Sequence, residues 1–295
     1  MHRHVPLALL VSAFSVGVTA LVQPLTAASA GSADGAAQAS ALADTLHRPL
    51  DQILDTNVRD GFVYYRALKS ERGRLDRYAG SLNVSASVYE AWPREEKMAF
   101  WVNAYNAFVL QTVVDRYPIR GTNPNYPPES IRQIAGAFET FRHRAAGRNV
   151  TLDEIEKTIL PEFKEPRLQL ALGRGAIGSG RLHSDAYTGG RIMQQLADIQ
   201  KEFVSEQTMM KVDRTAGVVS LTPIVSWHEA EFVAAYDKGA EGPFAQRTPI
   251  ERAAVAFIAP NLLPLEKELL QKNQFKVTYH PFNWLLNDLS GGRNQ

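Results

Sequence analysis

The most continuous apolar pattern in the body of the chain lies at residues 100–110, where only two asparagines interrupt the apolar and aromatic side chains. At about 100° per residue, the apolar side chains point to nearly every side, so the pattern predicts a helix buried in the core. We expect this helix to begin near Pro93 and to end by Tyr117, because Pro118 follows.

Asn103 and Asn106 are three residues apart and therefore share one face of this helix. A buried amide without a partner costs about 1–3 kcal/mol, so each asparagine needs a hydrogen bond. They either bond neighbouring backbone and fix how loops meet the helix, or line a site. We favour the structural role, and extend it to Trp101 and Tyr105 of the same segment.

The remaining patterns predict a single α+β domain over residues 42–290, in which the central buried helix packs with several other helices and a small, mostly antiparallel sheet with hairpins. Hairpins are expected across Gly147 and Gly217, and a strand at residues 275–279. Alternating leucines at residues 168–172 predict a strand with one buried face. Capping boxes predict helix starts at residues 151–154, 226–229 and 248–251.

The N-terminal pattern is different. Arg3 precedes an apolar run at residues 5–22, and small residues follow at positions 28–30. This order is typical of a secretory signal peptide over residues 1–30, the alternative being an uncleaved membrane anchor. We expect a flexible leader at residues 31–41, a disordered tail at residues 291–295, and a periplasmic or secreted product with no membrane partner after cleavage.

Composition narrows the function classes. The chain has 295 residues, is 45% hydrophobic and 21% charged, and carries a formal net charge of +1. No long charged block is present, so nucleic acid is not an expected partner. Cysteine is absent, which removes thiolate metal sites and thiol nucleophiles. No two histidines beyond the signal segment show the spacing of a helical zinc site, so we predict neither metal nor cofactor.

Four glycines fall within residues 173–180, directly after the predicted strand at residues 168–172. The run matches Gly-x-Gly-x-x-Gly, but no helix starts within the glycines and no acidic residue follows at the required place, so we reject a dinucleotide site. Ser179 on this loop is a candidate nucleophile with His183 as base and His280 as second choice. The alternative is a loop that only reverses the chain.

Several blocks resemble the domain of unknown function 547 family, and they occur in the family's order over residues 63–287. The most specific is Phe-Trp-x-Asn-x-Tyr-Asn-Ala at residues 100–107. The others are residues 63–65 with Leu68, 130–131, 151–156, 166–172, 186–187, and 283–287, which contain Trp284. The resemblance brings no established biochemical activity with it.

The departures from the family pattern are informative. The resemblance implies a histidine at Gln169, a cysteine at Arg174, a Ser-Cys-Pro run at residues 178–180 and an aspartate at Asn283. Those family residues would suit a thiol nucleophile with its base and orienting carboxylate. Glutamine and asparagine cannot move protons at neutral pH, and arginine is a permanent cation.

The leading hypothesis is therefore an exported, non-catalytic binding or scaffolding protein that has lost a thiol-type active site. Its ligand would be a small molecule or a component of the cell envelope. Candidate ligand-binding residues are Gln169, Arg174, Asn283 and His280, and Arg174 could also capture a small anion. The alternative is a serine-dependent hydrolase or acyltransferase that uses Ser179 and the glycine loop.

Overall fold

A computed structural model describes residues 45–239 and 242–289. The predicted signal peptide, leader and C-terminal tail lie outside these residues.

Helices occur at intervals between residues 45 and 272 of the described chain. They are α1 (residues 45–57), α2 (Tyr65–Ser70), α3 (Gly73–Ser81), α4 (Ala86–Glu90), α5 (Arg94–Arg116), α6 (Leu152–Glu154), α7 (Arg167–Leu170), α8 (Ile192–Ser205), α9 (Ile224–Trp227), α10 (Glu229–Tyr236), α11 (Pro249–Ile258) and α12 (Pro264–Lys272). A π-helical turn, Ile155–Ile159, continues α6. Short 3-10 turns lie at Ile131–Gln133, Leu160–Phe163, Gly242–Phe244 and Ala259–Asn261.

The strands are short and form three small sheets in the described residues rather than one. They are β1 (Val58–Arg59), β2 (Phe62–Val63), β3 (His143–Ala145), β4 (Arg148–Val150), β5 (Met210–Asp213), β6 (Val218–Leu221) and β7 (Lys276–Tyr279). The pairs β1–β2, β3–β4 and β5–β6 are antiparallel, and β7 joins β6 in parallel. The α+β class and the predicted hairpins are confirmed. Gly147 and Gly217 supply the positive φ angles, 70° and 63°, that the two turns need.

Helix α5 is the centre of the fold, as its apolar pattern predicts. Every residue from Met98 to Leu110 is at most 2% exposed. Helices α2, α3 and α8 and the turns after α6 pack around it. The Trp101 indole donates a 2.7 Å hydrogen bond to the Tyr89 hydroxyl, so the one polar atom of this buried side chain is satisfied.

Two local predictions are wrong. Residues 168–172 are not a strand, because Arg167–Leu170 is α7 and all five side chains, polar Gln169 included, are buried. Alternation therefore did not mark a buried and an exposed face. Ser226 does not cap a helix either, since α9 has already begun after Pro223, and its hydroxyl donates to the Pro223 carbonyl. Helix α10 begins after His228, whose side chain makes no capping hydrogen bond. The capping boxes of Thr151 and Thr248 are confirmed.

No helix within residues 45–239 or 242–289 combines the length and the apolarity that crossing a membrane requires.

Candidate functional site

A cleft of about 450 Å³ opens where the π-helical turn, the loop after α7 and the junction between α9 and α10 meet. We call it the Glu156 cleft. It is lined by Arg132, Phe138, Asp153, Glu156, Lys157, Arg174, Trp227, His228, Glu231 and Trp284. Isolated π turns inside helices are frequent at functional sites, and Glu156 lies on this one.

Glu156 and Arg174 form a buried ion pair at the inner end of the cleft. Arg174 Nη2 lies 2.8 Å and Nε 3.1 Å from Glu156 Oε1, and the two side chains are 1% and 8% exposed. Arg174 Nη1 donates to the carbonyl oxygens of Gln169 and Leu172. All three guanidinium nitrogens of Arg174 are therefore engaged inside the fold.

Two further groups bond the Glu156 carboxylate. The Tyr105 hydroxyl of α5 donates to Oε2 at 2.8 Å, and His228 Nε2 lies 3.3 Å from Oε1. Burial raises the pKa of Glu156, but the charge of Arg174 and the hydrogen bonds from His228 and Arg174 outweigh it and hold the pKa below its ordinary value. Glu156 is therefore an anion inside the protein.

His228 lies between two carboxylates. Its Nδ1 is 2.7 Å from Glu231 Oε1, while its Nε2 faces Glu156. Burial lowers the pKa of His228, but the hydrogen bonds to Glu156 and Glu231 outweigh that effect and raise it overall. A carboxylate only accepts hydrogen bonds, so both ring nitrogens carry protons when both bonds form. The arrangement therefore favours the imidazolium form.

Gln169 lies directly behind this cluster and is fully buried. Its side-chain nitrogen donates to the Glu156 carbonyl oxygen at 2.9 Å and to Glu231 Oε2 at 3.2 Å. Its side-chain oxygen has no hydrogen-bond partner among the described residues. The structure thus brings together Gln169 and Arg174, the positions where the family resemblance implies histidine and cysteine.

The outer wall of the cleft is aromatic. The Trp227 and Trp284 rings lie 6.3 Å apart between centroids and are nearly parallel, at 19°. Phe282 contacts both, with centroids 5.0 Å from Trp227 and 4.4 Å from Trp284. The Arg132 guanidinium lies over the Trp284 ring at 4.6 Å. Trp227 is 46% exposed, which makes it an accessible aromatic surface beside charged groups.

The two asparagines of α5 hold loops to the helix. Asn103 donates to the Tyr187 carbonyl oxygen at 2.8 Å and accepts from the Tyr187 N–H at 3.0 Å. Asn106 donates to the Ala171 carbonyl oxygen and accepts from the Gly173 N–H. Asn106 therefore fixes the start of the loop that carries Arg174, and neither asparagine lines the Glu156 cleft.

The other candidate residues do not line the Glu156 cleft. The Ser179 hydroxyl accepts from the Arg174 N–H at 3.0 Å and borders a separate cavity of about 340 Å³. His183 Nε2 lies 3.2 Å from Glu202 Oε2, and His280 Nε2 is 2.9 Å from the Thr208 carbonyl oxygen. Asn283 is exposed, and its side chain accepts from the Leu285 N–H. The structure does not join these residues into one site with Gln169 and Arg174.

The glycines of the loop serve close packing. A Cβ on Gly180 would lie 1.8 Å from the Leu170 carbonyl oxygen, and one on Gly178 would lie 2.6 Å from the Asn283 backbone nitrogen. Both positions therefore exclude a larger side chain.

Sequence reasoning missed Trp227, His228, Glu231 and the role of Glu156. The sequence signal for Glu156 was its place in residues 151–156, one of the blocks that carry the family resemblance. His228 is 72 residues from Glu156 along the chain, and nothing in the local pattern indicates their contact. No group of three or more histidines and carboxylates within the described ranges has the arrangement of a metal site.

Comparison with protein families gives one match. The family model described as "Protein of unknown function, DUF547" matches residues 89–204. The match supports assignment of residues 89–204 to the DUF547 family. Comparisons with curated proteins and with solved structures gave no match.

The DUF547 match contains only some of the residues that line the Glu156 cleft. Residues 89–204 include Glu156 and Arg174, which form the ion pair, and Arg132 and Lys157 of the rim. Trp227, His228, Glu231 and Trp284 follow the matched range. The ion pair thus lies in the DUF547 match, while the exposed tryptophan and the histidine come from the chain beyond it.

Proposed function

We propose that this DUF547 protein binds a small ligand in the Glu156 cleft and has lost a thiol-type active site. The observation that carries the proposal is the buried pair of Arg174 and Glu156, with Nη2 and Oε1 2.8 Å apart. Arg174 stands at the position where the resemblance implies a cysteine. A guanidinium remains protonated and is not a nucleophile, so the site keeps a fixed charge network where a reactive group is expected.

The neighbouring groups are equally unsuited to proton transfer. Gln169, at the position of the implied histidine, has no titratable proton. His228 is in the cleft, but both of its ring nitrogens face carboxylates. A histidine acts as a general base through an unprotonated ring nitrogen, and this environment favours the protonated ring.

The shape of the cleft supports binding. Its volume of about 450 Å³ is within the range of small-molecule sites, which is roughly 300–1,000 Å³. Such sites combine apolar or aromatic walls with a few polar groups that orient the ligand. Here Trp227, Trp284 and Phe138 form the aromatic part, and the ion-pair network forms the polar part.

We also propose that the protein acts outside the cytoplasm. Arg3, the apolar run at residues 5–22 and the small residues at positions 28–30 support a cleaved signal peptide. Mass spectrometry of the protein recovered from a bacterial periplasmic fraction would then show Gly31 as the first residue. A chain retained in the membrane with residues 1–30 intact would contradict cleavage.

A serine-reactive acyl probe tests the proposal against the hydrolase alternative. Ser179 borders a cavity of its own, which is the observation that keeps the alternative worth testing. We expect a fluorophosphonate to leave Ser179 unlabelled, and ester hydrolysis to be the same in the wild type, Ser179→Ala and the control Ser81→Ala. Labelling and turnover lost only in Ser179→Ala would overturn the non-catalytic proposal.

A further inference from the structure

We infer that the ligand of the Glu156 cleft is a neutral saccharide. The inference rests on the proposed binding function and specifies its ligand class. It follows from three properties of the cleft: one accessible aromatic face, charges that are already paired, and a polar atom of the lining that still lacks a partner.

The cleft offers a ligand one exposed aromatic face and no slot between two rings. A ring held between two others needs about 7 Å between their planes, twice the roughly 3.5 Å contact distance of carbon atoms. The Trp227 and Trp284 centroids are only 6.3 Å apart. A ligand therefore lies against the accessible surface of Trp227, which is 46% exposed. The C–H face of a sugar ring is flat and apolar enough for that contact.

The charges of the cleft cancel in pairs. Each cationic side chain of the lining has an anionic partner within 2.8 Å, in the pairs Arg174–Glu156, His228–Glu231, Lys157–Asp153 and Arg132–Glu139. A charged ligand would have to break one of these pairs or lose its hydration without a compensating charge. A neutral ligand has neither cost.

Paired charged groups still bind hydroxyls. A carboxylate has about four acceptor positions and a guanidinium five N–H donors, so each pair leaves some of them for a ligand. One further atom is notable. Arg132 Nε, a donor at the rim, is buried and has no hydrogen-bond partner among the described residues. A ligand hydroxyl can accept a hydrogen bond from it.

Other ligand classes fit less well. A quaternary ammonium would need an aromatic cage with surplus negative charge, and phosphate would need a surplus cation. The cleft has neither surplus, because Glu139, which is outside the lining, pairs with Arg132. A nucleobase also stacks on a single aromatic face, so adenosine is the comparison probe that separates this class from a saccharide.

Isothermal titration calorimetry on the purified mature chain tests the inference. The saccharide probes are cellobiose, maltose and diacetylchitobiose, and the comparison probes are glycine betaine, inorganic phosphate and adenosine. We expect saturable binding of at least one disaccharide. Trp227→Ala should weaken it at least tenfold, and Trp227→Phe should restore most of it. The control Tyr64→Ala, which removes a 40% exposed aromatic outside the cleft lining, should leave binding unchanged.

The outcomes separate this inference from the proposed function. If betaine, phosphate or adenosine binds in a Trp227-dependent manner and no disaccharide does, the saccharide inference is overturned while the binding function stands. Disaccharide binding that Trp227→Ala leaves unchanged, or no binding of any probe to folded protein, overturns the inference as well. Turnover that depends on Ser179 is the separate result that overturns the proposed function.

Discussion

Arg174 Nη2 lies 2.8 Å from Glu156 Oε1, and both side chains are buried. Removing two charges from water costs several kcal/mol per ion, so the pair persists only because its remaining atoms are also bonded. Tyr105 and His228 bond the carboxylate, and the carbonyl oxygens of Gln169 and Leu172 accept from the guanidinium. The polar end of the cleft is thus a connected network, and changing one member affects the others.

Breaking the pair should destabilise the fold. Glu156→Gln leaves Arg174 buried without its carboxylate, and Arg174→Met leaves Glu156 buried without its guanidinium, so we expect a loss of about 3–5 kcal/mol in the free energy of unfolding. The double variant should lose less than the sum of the single losses, because the two residues are coupled. The control Arg72→Met breaks exposed ion pairs and should cost less than about 1 kcal/mol. Urea denaturation measures all four. Additive losses at Arg174 and Glu156 would contradict the network.

His228 should make stability depend on pH above the ordinary pKa of histidine, about 6.5. Its pKa in the folded protein is raised by Glu156 and Glu231 against the effects of burial and of Arg174. The stabilisation it provides is therefore complete below the unfolded pKa of about 6.5 and is lost as the pH rises through the folded pKa. We expect the advantage of the wild type over His228→Gln, measured by urea denaturation, to be larger at pH 6 than at pH 9. Glu231→Gln should reduce that difference. An advantage that grows with pH would show that the imidazolium assignment is wrong.

His47 should make the protein less stable as the pH falls, which is opposite to the effect of His228. It is fully buried near the Tyr78 hydroxyl, and burial lowers its pKa to about 3. The unfolded chain binds a proton at this residue below about pH 6.5, and the folded protein does not, so stability falls as the pH falls. Between pH 7 and pH 5 the loss due to His47 is about 2 kcal/mol. His47→Gln should remove this part of the slope in thermal and urea unfolding. A slope unchanged by the substitution would contradict the assignment.

The asparagines of α5 should matter for stability. Asn106→Leu leaves the Ala171 carbonyl oxygen and the Gly173 N–H without their partner, and Asn103→Leu does the same to both backbone groups of Tyr187. Each buried group left unpaired costs about 1–3 kcal/mol. The exposed Asn125 provides the control, and Asn125→Leu should change little. Equal unfolding midpoints in urea for all three variants would contradict a structural role for Asn103 and Asn106.

The sequence predicts the parts of the fold that depend on local pattern. Helix α5, the hairpins and the capping boxes of Thr151 and Thr248 depend on residues a few positions apart. The strand prediction for residues 168–172 was wrong because this segment is buried on all sides. The alternation of leucines therefore carried no information on which face is exposed. His228 and Glu156 meet only through the tertiary fold, and local pattern cannot indicate such a contact. Gln169 and Arg174 were found only because a family resemblance marked their positions.

The central claim is that the Glu156 cleft binds a ligand without converting it. An NMR titration of the purified protein with the disaccharides tests binding and turnover in one sample. The account predicts that indole N–H signals of Trp227 and Trp284 shift with ligand concentration, while the ligand's own spectrum stays unchanged over days. Product signals that appear in the wild type and disappear in Ser179→Ala or His228→Gln would contradict it.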